Sequence, residues 1–169
     1  MYFLPRILLI AMVLTVNSKA ADEDSLKGLR GVAVVVESIP DVAQRDGLGE
    51  TVVQTDAELR LRLAGIKVLS KDEFSDASGG PYLYINVNAM PASALDGRYV
   101  MNVAVELRQE VKLLRDPTIK TFATTWAVRT IGLIGYIRMI AGSGRDVRDV
   151  LKDDIDRFIN AYLTVNPRP

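Results

Sequence analysis

Apolar residues recur along this chain in three rhythms, each predicting a different element. The first is an unbroken block. Ile7 to Val16 is apolar except for Thr15, follows Arg6, and precedes Ser18-Lys19-Ala20. A basic start, an apolar stretch and small residues at the two positions read by signal peptidase predict a secretory leader cut after Ala20. The block is too short for a comfortable membrane span, which needs about 20 apolar residues, and an uncleaved amino-terminal anchor is the alternative to a cleaved leader. Residues 21–28, with Asp22, Glu23 and Asp24, read as a flexible acidic terminus, and 29–169 as a single α/β domain.

The other rhythms alternate within that domain. Gly31 to Ile39 is short, β-branched and almost wholly apolar, which predicts a strand that is central or covered on both faces. Asp41 to Gly49 reads as a polar connection. Glu50 to Ala64 has helical spacing, with Val52, Thr55/Asp56, Leu59 and Leu63 as its stripe and Leu61 widening it. Gly65 is placed to close that helix in the left-handed conformation, with Ile66 as the apolar contact of a Schellman motif. Ile66 to Leu69 then reads as a short strand, parallel to the first through a right-handed crossover. Lys71 to Pro81 reads as a loop.

From Tyr82 the period becomes two. Leu83, Ile85, Val87 and Ala89 share one face, and Tyr82, Tyr84, Asn86 and Asn88 share the other. Arg98 to Leu114 continues the pattern, with Met101, Val103, Val105 and Leu107 against Asn102, Ala104, Glu106 and Arg108. Thr118 to Thr130 follows a turn, with Phe122, Trp126 and Val128 against Thr121, Ala123, Thr125 and Arg129. These three segments predict an antiparallel meander with one greasy and one polar face. Ile131 to Gly144 is strongly apolar but interrupted by four glycines. Arg145 to Leu163 predicts a second helix, capped by Ser143 and Asp146, with Val147, Val150, Leu151, Ile155, Phe158, Ile159 and Tyr162 on its apolar face. The expected fold is α+β: a two-layer sandwich with two helices on one face of a mixed, mainly antiparallel sheet of about five strands.

Composition narrows the chemistry. The chain has no histidine and no cysteine. That excludes hydrolases built on a histidine base, the usual Cys/His zinc sites, and lipidation at a leader cysteine. Taking Arg6 and Lys19 away with the leader leaves 19 of 21 basic residues against 21 acidic, a net charge of −2. So balanced a charge gives no global field for nucleic acid. Asp149, Asp153 and Asp154 lie among Arg145, Arg148, Lys152 and Arg157, the composition of a solvated, salt-bridged helix face. Ser70 and Lys71 are adjacent, so in a strand they point to opposite faces and do not form a dyad. Gly47-x-Gly49 lacks the remainder of a dinucleotide fingerprint. No catalytic, metal or cofactor-binding residue is expected, and no cofactor.

Two surfaces remain. The polar sheet face offers Tyr82, Tyr84, Asn86, Asn88, Asn102, Glu106 and Arg108, with tyrosine and arginine of the kind interfaces favour. The glycine-broken stretch offers Ile131, Leu133, Ile134, Tyr136, Ile137 and Met139. It reads either as a folded-in connection or as an exposed patch for partner or membrane contact.

The element order and the runs Gly31-Val32-Ala33-Val34-Val35, Leu63-Ala64-Gly65-Ile66 and Tyr82-Leu83-Tyr84-Ile85-Asn86-Val87 resemble the amino-terminal α/β module of the Tol translocation protein TolB. They also resemble related periplasmic modules of the curli secretion protein CsgG and the LPS-assembly lipoprotein LptE. The closing run from Phe158 to Pro167 looks like the ending of exported bacterial proteins. The resemblance implies a periplasmic or secreted protein working through other envelope components. The expectation is a non-enzymatic binding or assembly module of the envelope, whose partner is an envelope protein or a second copy. Nucleic acid is not an expected partner, and no stable membrane anchor remains after cleavage. A carrier of small, apolar, lipid-like ligands is the alternative.

Overall fold

The computed structural model describes residues 23–45, 47–91, 99–134 and 147–167. The leader lies outside them. Four strands form one sheet in the order β1-β2-β3-β4: β1 Ala33–Val36, β2 Tyr82–Pro91, β3 Tyr99–Leu113 and β4 Asp116–Ile134. β1 pairs parallel with β2, and the other pairs are antiparallel. Helices α1 Asp41–Arg45, α2 Glu50–Leu63, α3 Lys71–Asp76 and α4 Val147–Val165 complete the described elements, with a 3-10 turn at Glu23–Leu26. The α+β class and the mixed, mostly antiparallel sheet agree with the sequence pattern. The strand count does not: four strands stand where about five were expected.

The missing strand is Ile66–Leu69. Only Val68 pairs, as an isolated parallel bridge to Val32. The chain on either side is already committed. Ile66 N–H donates to Leu61 O and Gly65, at φ 73°, donates to Arg62 O, so the Schellman closure of α2 consumes the start of the segment. Its end is consumed by α3, because Ser70 and Glu73 form a reciprocal capping box. Residues expected as a loop therefore hold a helix. Gly31 permits the close approach here, since a Cβ would lie 2.7 Å from Lys67 O.

β1 is an edge strand rather than a central one. Val32 and Val34 are buried, while Val35 is 42% exposed. The connection expected between β1 and α2 contains α1, which begins after Pro40 and carries the buried Ala43, with Leu48 buried just beyond it. In α2 the buried stripe is Val53-Ala57-Leu61, not Val52-Leu59-Leu63. The small Ala57 lets the helix settle against the sheet on that narrow stripe, with Leu61 buried and Leu59 and Leu63 outside.

The core lies between helices and sheet. Leu83, Ile85 and Val87 of β2, and Val103, Val105 and Leu107 of β3, meet Leu151, Ile155 and Phe158 of α4. Trp126 stacks edge-on against Phe158 at 5.3 Å. The segment expected as a flexible acidic terminus is docked from Glu23 onward. Leu26 is fully buried, Asn166 accepts from Gly28 N–H and donates to Leu26 O, and Tyr162 donates to Leu29 O at 2.7 Å. Asp154, read as part of a solvated face, is buried and accepts from Thr130 at 3.0 Å and from Arg157 at 3.2 Å.

Candidate functional site

α2 and α4 cover one side of the sheet; the other side carries the remaining half of each alternating strand. Register places Val35 beside Tyr84, Tyr82 beside Arg108, Tyr84 beside Glu106, and Asn88 beside Asn102. β4 completes the face with Arg129 beside Ala104 and Ile131 beside Asn102. At Leu107/Arg108 the register slips: Leu107 faces Trp126 but Arg108 faces Thr124, leaving Thr125 as the extra residue of a bulge. The bulge is held by Gln109 and Ser25, both bonded to Thr125. It reverses the phase of β4, so Phe122, expected on the greasy face, lies on the open one at 52% exposure. Trp126 and Val128 keep the core side.

Glu106 stands at the centre of this face, yet only 3% of it is exposed. Its neighbours cover it. Arg108 donates twice to Oε2, at 3.0 and 2.8 Å; Thr124 donates to the same oxygen at 3.0 Å; and Arg129 donates through two nitrogens to Oε1. Burial pushes the Glu106 carboxyl up, but the bonds from Arg129, Arg108 and Thr124 together outweigh it and hold the group below its ordinary value. The Arg108 guanidinium lies 3.6 Å over the Tyr84 ring. Tyr84 in turn donates to Glu37, as does the Asn86 amide, and Asn88 donates to Asn86. The Tyr84 bond comes first among the interactions lowering the Glu37 carboxyl, and the same bond raises the Tyr84 hydroxyl. A continuous polar lattice thus runs from Asn88 to Arg129 across β2, β3 and β4, with Glu37 joining it from just beyond β1.

Apolar side chains flank the lattice. At one end Met90 is 66%, Val100 42% and Ile131 48% exposed. At the other Tyr82 lies between Phe74 and Phe122, with ring centroids 6.2 and 5.8 Å away. Of the ten large hydrophobic residues that are exposed among the described residues, five (Val35, Met90, Val100, Phe122 and Ile131) belong to this one face. That concentration separates it from a merely wetted sheet surface.

The structure therefore brings together Tyr82, Tyr84, Asn86, Asn88, Asn102, Glu106, Arg108 and Ile131 of the expected surfaces. Leu133 and Ile134 continue β4, paired with Val100 and Tyr99. Tyr136, Ile137 and Met139 lie outside the described residues. Arg129, Glu37 and Thr124 are lattice members the sequence pattern did not assign to the site. Arg129 was legible, since it alternates with Trp126 and Val128; Thr124 and Phe122 were hidden by the bulge.

The Glu106 carboxylate is saturated, whereas the buried Asn102 Oδ1 on the same face has no hydrogen-bond partner among the described residues. A carboxylate that accepts several hydrogen bonds and is held below its ordinary value is a poor general base at neutral pH. Among the described residues no group of three or more His, Cys, Asp or Glu is arranged to hold a metal ion, and no helix is long and apolar enough to cross a membrane. Compared with known proteins, the chain matches no protein-family model and no curated protein sequence.

Proposed function

We propose that this chain is an exported, non-enzymatic binding or assembly module of the bacterial cell envelope, docking another protein on its open sheet face. The carrying observation is the concentration of exposed apolar side chains on that face around a pre-ordered charged lattice. Interfaces gain from aromatic and arginine anchors whose rotamers are already fixed, because less conformational entropy is lost on binding. Here Tyr84 and Arg108 hold each other, and Glu106 holds Arg108 and Arg129. The leader motif and the likeness to periplasmic modules support the envelope as the setting. Among the described residues the interlayer space is filled by side chains such as Phe158, Leu83 and Leu107, all fully buried, which supports this reading over the lipid carrier.

The test is site-specific photo-crosslinking in cells of the native host. A crosslinker at Phe122 or Met90 should capture a discrete envelope protein, while one at the hairpin-tip Leu114, which is fully exposed, should not. Equal capture at all three positions, or none at Phe122 and Met90, would reject the face as the docking site. The intact mass of the same preparation reports the leader, and cleavage predicts Ala21 as the first residue.

A further inference from the structure

The helix layer carries a second surface, on the far side of the molecule from the open sheet face. α2 has two apolar stripes. Val53-Ala57-Leu61 faces the core, while Leu59 and Leu63, one turn apart, stand 53% and 77% exposed. One exposed leucine calls for no explanation, but two stacked beside an apolar recess form a patch. The recess lies between α2 and α4, has a volume of about 650 Å³, and is floored by Leu151, Ile155 and Ile159.

We propose that this recess is where two copies of the chain pair about a two-fold axis, each inserting Leu59 and Leu63 into the recess of the other. A two-fold contact requires one patch to be complementary to itself. This patch carries both halves, the protruding leucines and the hollow beside them. Its charges point to the same occupant. Asp56, Asp149 and Asp156 are balanced around the recess by Arg60, Arg148 and Lys152. Asp56 pairs with Arg148 at 2.6 Å and Asp156 with Arg60 at 2.7 Å, each pair joining α2 to α4. A strongly acidic or basic partner finds no net field to match in such a rim, whereas a second copy brings an equally neutral one. The cross-helix pairs also fix the rim, so little of it must be ordered on association.

Sedimentation over a concentration series, together with single-cysteine crosslinking, tests the pairing, and the absence of native cysteine makes the crosslink unambiguous. The purified chain should sediment as a concentration-dependent dimer. Leu63→Asp should raise the dissociation constant by roughly tenfold or more and, at concentrations where both proteins are monomeric, leave the melting temperature unchanged, because that side chain is exposed in the monomer. Leu63→Cys should form a disulfide-linked dimer under mild oxidation, and Leu114→Cys should not. A monomer at every concentration, or a dimer indifferent to Leu63→Asp, overturns the proposal. Substitution at Phe122 must leave the dimer intact, so this pairing and the sheet-face docking fail separately.

Discussion

At the scale of single residues, Glu106 shows how an open sheet face can hold a buried charge. Removing one member of a buried charge cluster is costly because its partners lose their counter-charge. Glu106→Gln keeps the shape but leaves Arg108 and Arg129 without it, and should destabilise the fold by about 1–3 kcal/mol in urea melts. The pH dependence gives the expectation a sign. Because the folded carboxyl lies below its ordinary 4.5, its contribution is complete above that value and is lost as pH falls through the lower folded value. The wild-type chain should therefore lose stability on acidification more steeply than the Gln variant, and equal acid slopes would show that the two arginines do not stabilise the carboxylate. Glu106 and Arg108 were legible as members of a polar face from period-two alternation alone. Their mutual saturation was not, since it depends on Arg129 from another strand and on a bulge that brings Thr124 opposite Arg108.

At the scale of elements, the informative case is Ser70 to Glu73. Read as the junction between a strand ending at Leu69 and a loop from Lys71, Ser70 and Lys71 had no structural task, yet residues 70–73 spell a helix start, with a serine followed three places later by glutamate. The Ser70 side chain accepts from Glu73 N–H, and the Glu73 carboxylate returns to Ser70 N–H and pairs with Lys67 at 2.6 Å. The Lys67 interaction leads the causes that lower the Glu73 carboxyl to about 2. Ser70→Ala should cost about 1 kcal/mol, the usual cost of losing an N-cap. Protection of the α3 amides, taken relative to the intrinsic exchange rate at each pH, should hold from neutral pH down to about 4.5 and fall as pH drops toward about 2, where the carboxylate is lost. Exchange in α3 that is unaffected by Ser70→Ala would mean the cap does not hold the helix. The same competition explains the absent strand. Local capping at both ends of Ile66–Leu69 outweighs the few ladder bonds a short edge strand could add. Long alternating strands escape such competition, so β2 and β3 were predicted closely. In α2, counting only large side chains missed Ala57, whose small size is what brings the helix onto the sheet.

At the scale of the whole molecule, the two ends of the described chain are tied together, which no local pattern announces. Asn166 and Pro167 read simply as a helix stop. In the fold, the Asn166 side chain accepts from Gly28 N–H at 2.7 Å and donates to Leu26 O at 2.9 Å and Tyr162 O at 3.0 Å, so it ends α4 and fastens the amino-terminal turn in one step. The turn in turn seats Leu26 in the core and sends Ser25 to the bulge of β4. A side chain serving residues more than 130 positions away is invisible to periodicity, which reports only neighbours within a turn or two. Its removal separates a local cap from a long-range clamp. If Asn166 only capped α4, Asn166→Ala would fray the last turn and leave the rest unchanged. As a clamp, it should cost about 2 kcal/mol, two or three net hydrogen bonds, and should make residues 23–29 the first site of limited proteolysis while the sheet remains protected. Mapping the earliest cut by mass spectrometry decides between them, and cleavage confined to the carboxyl-terminal residues would mean that burial of Leu26 alone holds the amino-terminal turn in place.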